Sequence, residues 1–186
     1  MKIGVLSDTH GDLYGTKLAL EVLKDTDLII HCGDLFYHGL FNKIKESYNP
    51  LELSKVINNI KKPLIFSKGN CDSEVDQLAV DFNILDPVRI YFYENNIVYI
   101  HHGDKVLDKE LLDLRRKFKF NFVLSGHTHI YRLEKVENVL FMNPGSPSLP
   151  KGGNPPSVGI INFNENEAQI INIEKNSIIK EINLFD

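Results

Sequence analysis

Short apolar runs alternate with amphipathic segments in the first part of the chain. Buried strands are predicted from the apolar runs at 2–7, 27–32 and 63–67. Helices are predicted from helical spacing at 13–24 and 51–61, and Asp12 is in position to cap the first of them. Between the second strand and the second helix lies an aromatic-containing stretch that is too irregular for one element. The β-α-β-loop-α-β order favours a parallel sheet with crossover helices.

The second half of the chain has many short apolar runs separated by turn residues. Segments 88–93 and 97–101 flank Glu94-Asn95-Asn96 and predict a hairpin, a charged helix is predicted at 107–117, and a buried strand at 121–125. Further strands are predicted at 130–136, 139–143, 158–163, 168–174 and 178–184. We therefore expect an antiparallel, strand-rich tail. Residues 1–186 are expected to form one domain of mixed α/β fold, with two packed sheets and helices on the outer faces.

Composition narrows the class of protein. The chain has 186 residues, of which 42% are hydrophobic and 25% charged, as in an ordinary globular domain with a sizeable core. The formal net charge is −4 and there is no basic run, so no long nucleic-acid footprint is expected. No apolar stretch suits a signal peptide or a membrane span. The two cysteines, Cys32 and Cys71, make no disulfide framework, which favours a reducing, cytoplasmic location.

Residue types that bind metal ions follow five of the predicted strands. They occur in the segments Asp8-Thr9-His10, Gly33-Asp34, Gly69-Asn70, His101-His102-Gly103 and Gly126-His127-Thr128-His129. Ligands of open α/β sheets bind in the crevice outside the carboxyl ends of the strands, so these side chains are expected to meet. Adjacent glycines permit close backbone approach, and ligands two residues apart in an extended segment point to the same side. One such motif alone is usually an ordinary turn, whereas the ordered set predicts a metal site.

The predicted ligands are mixed oxygen and nitrogen donors. Such a set suits Mn²⁺, Fe²⁺ or Zn²⁺ better than Mg²⁺ or Ca²⁺, which prefer oxygen ligands alone. The sequence has no thiolate set for a structural zinc site. Two further histidines lie near Asp34 in the sequence. His31 is interpreted as a packed strand residue, and His38 lies on a loop where a substrate rim is expected.

The ordered motifs DxH, GD, GN, HG and GHxH resemble those of the calcineurin-like metallophosphoesterases. A closer resemblance, to the YfcE-like bacterial phosphodiesterase branch, lies in CGDLFYHG at 32–39, KGNCDSEVDQ at 68–77 and NPGSPSLPKGGNPPSVG at 143–159. The resemblance extends from residue 2 to about residue 180. It implies a two-sheet α/β/β/α sandwich and a phosphoric diester hydrolase.

The resemblance also implies how the ligands are shared between two metal ions. One ion would be bound by Asp8, His10, Asp34 and His129. The other would be bound by Asp34, Asn70, His102 and His127, so that Asp34 is the bridge. The family has its ligand directly before the glycine, which selects His102 over His101.

Such a site would contain two divalent ions, Mn²⁺ by preference, and their charge exceeds that of Asp8 and Asp34 and attracts a phosphate anion. They would activate a bridging hydroxide, while the Asn70 amide stabilises the phosphoryl oxygens. Asp34 and Asn70 are the predicted catalytic residues, and Asn70, Cys71 and His38 the predicted substrate-binding residues. Many relatives have a histidine, a proposed leaving-group acid, at the position of Cys71. A thiol suits that role less well near neutral pH, so Cys71 is either a weak acid or a small residue lining the site.

Three functions are compatible with the sequence. The complete ligand set favours a phosphodiesterase acting on small diesters. A non-catalytic scaffold related to the eukaryotic retromer subunit is disfavoured, because that subunit has a degraded metal set whereas this chain has all the ligands. A phosphomonoesterase or nuclease would use the same site, although no basic groove supports a nuclease. The expected partner is a small phosphodiester, with no membrane, and a homo-oligomer (dimer or tetramer) is left open.

Overall fold

The computed structural model describes residues 1–185, and Asp186, the last residue of the predicted domain, lies outside the described residues. The strands are β1 (Lys2–Leu6), β2 (Leu28–His31), β3 (Leu64–Phe66), β4 (Val88–Tyr93), β5 (Asn96–His101), β6 (Phe122–Leu124), β7 (Arg132–Val136), β8 (Val139–Asn143), β9 (Ser157–Asn162), β10 (Glu167–Asn172) and β11 (Ser177–Asn183). The helices are α1 (Leu13–Val22), α2 (Pro50–Asn58) and α3 (Asp108–Phe118), with a short 3₁₀ helix at Asp76–Ala79. Every predicted element is present, with ends shifted by a few residues.

The strands form two mixed sheets. The order is β11-β10-β9-β1-β2-β3 in the first sheet and β4-β5-β6-β8-β7 in the second. Strands β1, β2 and β3 are parallel to one another, as are β5, β6 and β8. The tail strands pair with one another in antiparallel fashion, as predicted, but β8 also pairs in parallel with β6. The tail is also divided, since β7 and β8 join the second sheet and β9 to β11 join the first.

The main core lies between the two sheets. It is built from side chains of β1, β2, β9 and β10 on one side, and of β5, β6 and β8 on the other. Helix α1 packs on the outer face of the first sheet through Ala19, and α3 packs on the outer face of the second through Leu111. These are the layers of the predicted sandwich. None of the described helices has the length and apolar character needed to cross a membrane.

The central parallel strands and the edge strands differ in how deeply their side chains are buried. Strands β1 and β2 are covered on both faces, consistent with their unbroken apolar sequence. Strand β4 instead alternates between exposed and half-buried positions, which suits its place at the edge of the second sheet. Candidate ligands follow four largely covered strands, β1, β2, β5 and β6, and also β3, a half-buried strand at the edge of the first sheet.

Asp12 has a different role from the predicted cap. It occupies the position before α1, but its side chain makes no capping hydrogen bond. Its buried carboxylate accepts hydrogen bonds from Lys45 Nζ at 2.6 Å and Ser47 Oγ at 2.5 Å instead. These bonds fasten the end of the irregular loop to the start of α1 and so hold that loop beside the strand ends.

Candidate metal centre

The seven predicted ligands lie past the carboxyl ends of five strands, at one end of the two sheets. Asp8 and His10 follow β1, Asp34 follows β2, Asn70 follows β3, His102 follows β5, and His127 and His129 follow β6. Five of these residues are buried, with exposed fractions of 3% or less: Asp8, His10, Asp34, His102 and His129. We call these five residues the metal floor. Asn70 and His127 are exposed and lie at its mouth.

Five of the seven candidates have a left-handed backbone. The φ angles are 55° at Asp8, 45° at His10, 61° at Asp34, 68° at His127 and 58° at His129. The expectation that the DTH and HTH segments are extended was therefore wrong, because each is a tight turn. Left-handed residues other than glycine are uncommon, and they cluster at functional sites where the surrounding structure holds them in place.

Asp8, His10 and His129 form one half of the metal floor. Asp8 Oδ1 lies 3.4 Å from His129 Nε2 and 3.8 Å from His10 Nε2, and the two Nε2 atoms are 3.2 Å apart. His10 Nδ1 donates to the carbonyl of Tyr37 at 2.6 Å, and His129 Nδ1 donates to that of Leu149 at 2.7 Å. Because a carbonyl oxygen only accepts hydrogen bonds, both Nδ1 atoms carry the proton. Each neutral ring therefore presents a lone pair at Nε2.

This half of the floor fits a divalent cation. Asp8 Oδ1 is buried and has no hydrogen-bond partner among residues 1–185. Burial raises the pKa of Asp8 to about 7, and it lowers the pKa of His129 to about 4, which keeps that ring neutral. Two lone pairs and an unpaired carboxylate oxygen facing one point are unfavourable unless a cation lies between them. Nitrogen and oxygen donors in this arrangement suit a first-row transition metal.

Asp34 lies between the two halves of the floor. Its Oδ2 is 3.3 Å from His102 Nε2 and 3.6 Å from His10 Nε2, and its Oδ1 accepts the Cys71 N–H at 2.8 Å. Burial, the largest influence, raises the pKa of Asp34, but the hydrogen bond and charge of His102 outweigh it and hold the pKa well below its usual range. This position suits the bridging role that the resemblance implies.

The ring of His102 is oriented by a hydrogen bond from its Nδ1 atom. Its Nδ1 donates to the Cys32 carbonyl at 2.7 Å, which directs Nε2 to Asp34. Burial lowers the pKa of His102, but the neighbouring carboxylates of Asp34 and Asp8 outweigh burial and raise it to about 9. A cation at Nε2 would take the place of this proton, so metal binding and protonation would compete at His102.

The mouth of the site is formed by Asn70, Cys71 and His127. Asn70 Oδ1 lies 3.1 Å from His102 Nε2, and Asn70 Nδ2 donates to Cys71 Sγ at 3.3 Å. The His127 ring is edge-on to that of His102, with centroids 5.1 Å apart. Cys71 Sγ also lies within 4.8 Å of ligand atoms of His10 and Asp34. The thiol thus faces the metal floor more directly than the sequence indicated.

The histidines that were not predicted as ligands lie outside the floor. His31 is packed as interpreted, since its ring stacks on Phe66 at 4.7 Å and its Nδ1 accepts the Gly33 N–H at 3.1 Å. His101 is buried, and burial lowers its pKa to about 4. The structure therefore brings His102, and not His101, to Asp34.

His38, a predicted substrate-binding residue, packs between two tyrosines. Its ring centroid is 4.7 Å from that of Tyr37 and 5.3 Å from that of Tyr48. It is not among the residues that line the cavity above the floor, whereas its neighbours Tyr37 and Gly39 are. This packing points to a role in shaping the loop, and direct substrate contact by His38 remains a prediction.

Asp72 braces the turns that carry Asp34 and Asn70. Its buried carboxylate accepts backbone hydrogen bonds from Asp34 N at 2.9 Å, Leu35 N at 2.8 Å and Gly69 N at 2.7 Å. The turns after β2 and β3 are thereby joined through one side chain. The sequence pattern does not single out Asp72, because a carboxylate after a turn is equally typical of a helix start.

The turn after β8 braces the other ligand turns. Ser146 Oγ donates to the Asp8 carbonyl at 2.7 Å, and Asn143 Nδ2 donates to the Gly126 carbonyl at 2.6 Å. These bonds hold the left-handed turns after β1 and β6 from one neighbouring segment. The parallel pairing of β8 with β6, which the sequence pattern did not predict, places this turn there.

A cavity of about 580 Å³ opens above the metal floor. From the floor, His10, Asp34 and His129 line it, together with the three mouth residues. The lining also includes Tyr37, Leu40, Phe41, Asn42 and Lys151. Hydrophobic periodicity carries no signal for these residues because they lie in loops. The space is of the size that small-molecule sites commonly have.

Comparison with known proteins relates the chain to phosphoesterases. Residues 1–166 match the family model of the calcineurin-like phosphoesterase superfamily domain. Phosphodiesterase YfcE of Escherichia coli (strain K12) is 32% identical over 184 residues, covering 98% of this chain and 97% of that protein. A phosphodiesterase of Methanocaldococcus jannaschii is 30% identical, covering 94% of this chain and 100% of that protein.

Solved structures give the same relationship. The structure of YfcE, a phosphoesterase from E. coli, matches with a TM-score of 0.88 at 30% identity, covering 99% of this chain and 100% of that one. Vacuolar protein sorting 29 from Cryptosporidium parvum matches with a TM-score of 0.69 at 16% identity, covering 98% of this chain and 97% of that one. At that identity the second match shows a shared fold alone.

Proposed function

The chain belongs to the calcineurin-like phosphoesterase superfamily, and from this premise we propose that it hydrolyses small phosphodiesters with two divalent metal ions held at the strand ends. The predicted family is confirmed, and with it the general class of metallophosphoesterase. The relatives named phosphodiesterases support a diester as substrate. Mn²⁺ is the ion we propose, with Fe²⁺ or Zn²⁺ as alternatives that the same donors accept.

The observation that carries the proposal is the set of acceptor atoms facing one another in the metal floor. His10 and His129 present lone pairs 3.2 Å apart, beside a buried oxygen of Asp8. Asp34 stands between this group and His102. Two cations would satisfy these atoms, and Asp34, whose Oδ2 lies within 3.6 Å of both His10 and His102, would be the residue that contacts both.

The residues of the chain have separate tasks in this proposal. Bound divalent ions would supply Lewis acidity and a bridging hydroxide as nucleophile. Asp34 would hold the two ions, while the burial of the floor residues would limit access of bulk water and so strengthen the electrostatic attraction to the phosphate. At the mouth, the Asn70 amide is placed to stabilise the charge that grows on the phosphoryl oxygens.

The test is to compare the wild-type chain with Asp34→Asn after loading with Mn²⁺. We expect the wild type to bind two ions per chain, measured by elemental analysis, and to hydrolyse bis(4-nitrophenyl) phosphate. Asp34→Asn should lose bound metal and at least roughly 100-fold in kcat, the loss typical of removing one key electrostatic group. Asp113→Asn, on the exposed side of α3, is the matched control and should behave as wild type. The proposal fails if Asp34→Asn and wild type hydrolyse the diester equally.

The same preparation separates the competing functions. A scaffold would take up no metal and hydrolyse nothing. A phosphomonoesterase would prefer 4-nitrophenyl phosphate over the matched diester, and a nuclease would degrade polynucleotides faster than small diesters. A cytoplasmic location and a homo-oligomeric state stay predictions, the former supported by the free thiols of Cys32 and Cys71.

A further inference from the structure

The loop after β2 exposes apolar side chains beside the metal floor. Phe41 is 96% exposed, Leu40 is 77% exposed and Tyr37 is 41% exposed. We call these three residues the apolar rim. Large apolar side chains grouped in solvent are unfavourable, and such groups commonly mark the binding site of a ligand or partner.

The apolar rim is attached to the metal floor by hydrogen bonds. The carbonyl of Tyr37 accepts from Nδ1 of His10 at 2.6 Å, so the ring that faces the metal position is fixed to the loop. Asn42 Nδ2 donates to the His38 carbonyl at 2.8 Å and closes the turn that carries Leu40 and Phe41. The rim is therefore held at a set place relative to the floor.

The rim and the floor share one cavity. Tyr37, Leu40 and Phe41 line the same space of about 580 Å³ as His10 and Asp34. A phosphate group bound at the floor needs only part of a space of this size, because pockets of several hundred Å³ typically enclose a whole small molecule. The rest of the space is available to a group attached to the phosphate.

We propose that the apolar rim is a specificity-determining surface that binds a planar aromatic ring carried by the phosphodiester, such as an aryl group or a nucleobase. This inference rests on the proposed function, since it concerns the ester group that is not expelled. Two of the three rim residues are aromatic. Aromatic side chains stack on the flat face of a planar ring, whichever base or substituted aryl group that ring belongs to. Phe41 supplies the most accessible face.

A substrate ring fits the surroundings of the rim better than a second copy of this chain. The apolar side chains are interspersed with polar groups that line the same cavity, namely Asn42, Ser73 and Lys151. The rim also shares this cavity with His10, Asp34 and His129 of the floor. An interface between copies generally needs a broader surface of its own.

The experiment uses three diesters with the same 4-nitrophenolate leaving group and a different second ester: methyl, phenyl or thymidine 5′. The intrinsic reactivity of each diester cancels when the ratio of kcat/KM for the ring-bearing diester to that for the methyl diester is compared between variants. We expect Phe41→Ala to lower this ratio about tenfold, the effect of losing one stacking contact. Phe41→Tyr should keep the ratio. Phe92→Ala, at an exposed aromatic on edge strand β4, is the control and should also keep it.

The outcomes are distinct. A ratio that falls for the phenyl and thymidine diesters alike, or for only one of them, supports the proposal and identifies the ring. A ratio that is the same in wild type and Phe41→Ala overturns it. If sedimentation shows that Phe41→Ala breaks up an oligomer while all three diesters slow equally, the rim is an interface between copies, and the proposal is again overturned. Failure of the wild type to hydrolyse any diester would instead refute the proposed function.

Discussion

The metal floor and the apolar rim enclose the same cavity but are built in opposite ways. No floor residue is more than 3% exposed, whereas Phe41 in the rim is 96% exposed. The floor residues are fixed by bonds from several segments, such as those from Asp72 to the turns after β2 and β3. The rim lies on one loop. Since buried, multiply bonded groups tolerate little change, the floor should determine the reaction and the rim the substrate.

Residues that are close in the sequence can differ sharply in burial within this site. His127 and His129 are two residues apart, and both are left-handed, yet His129 is in the floor and His127 at the mouth. Both Asp72 and Cys71 line the cavity, but Asp72 is buried and forms the brace, whereas Cys71 is half-buried. Substituting two such neighbours therefore compares a buried position with an accessible one within the same short segment of the chain.

The largest expected difference is between His129→Ala and His127→Ala. Removing His129 leaves Asp8 Oδ1 and His10 Nε2 without a third donor in a dry site, so metal affinity should fall by roughly 100-fold or more, beyond the loss typical of supporting residues. His127 is exposed, and water can take its coordination position, so its loss should cost only about tenfold. Metal titration of the two variants with Mn²⁺ measures this. Equal losses would show that burial does not distinguish the two ligands.

A smaller effect is expected from Asp72→Asn. The amide retains one acceptor oxygen but turns an N–H₂ group toward a backbone donor, which leaves at least one of three buried N–H groups unpaired. We expect destabilisation of about 1–3 kcal/mol and a fall in kcat of roughly 10- to 100-fold. Asp76→Asn is the control, because Asp76 accepts only local bonds from Ser73. Thermal unfolding and diester hydrolysis are the measurements, and an unchanged kcat would show that the brace does not position Asp34.

Lys151→Met should have a milder effect, confined to substrate binding. Lys151 lines the cavity and is exposed, so its attraction to an anionic diester is worth at most about 1 kcal/mol. KM should rise about fivefold while kcat stays constant, and added salt should reduce the difference. Lys109→Met, on exposed α3, is the control. A fall in kcat instead would mean that Lys151 acts on the transition state and belongs functionally with the floor.

The sequence was most informative where neighbouring residues determine structure. The apolar run at 27–32 predicted β2, observed at Leu28–His31, because burial on both faces requires an unbroken apolar sequence. The strand ends that carry the candidate ligands were predictable because each short apolar run stops at a polar residue. The left-handed turns were not, since they are held by distant bonds such as that from Ser146 Oγ to the Asp8 carbonyl. Nor was the parallel pairing of β8 with β6, which joins segments without a local signal.

The exposure of the apolar rim, by contrast, could not be predicted from the sequence. Leu40 and Phe41 are residue types that usually lie in a hydrophobic core. In the sequence, only the absence of helical or strand periodicity around them distinguishes them from core residues. Their exposure depends on where the loop is fastened, through Asp12 to Lys45 and through His10 to Tyr37. The residues proposed to select the substrate are consequently harder to predict from the sequence than the residues proposed to bind the metal ions.

The smallest expected effect is that of Cys71→Ala. Burial and the nearby charge of Asp34 raise the pKa of the Cys71 thiol to about 12, so it is neutral and a weak acid near neutral pH. We expect kcat to change by less than about threefold, well short of the roughly 100-fold that loss of a general acid causes. The pH profile and the metal content should match those of wild type.

A leaving-group series makes this last expectation decisive for the comparison. An expelled alkoxide needs a proton far more than 4-nitrophenolate does, so a general acid matters most for alkyl leaving groups. If Cys71→Ala slows both classes equally little, the thiol only lines the cavity and donates no proton to the leaving group. If it slows alkyl leaving groups alone, Cys71 donates the proton. The mouth would then supply the leaving-group proton as well as the Asn70 amide, and the reaction would depend on the turn from Asn70 to Asp72 as much as on the floor.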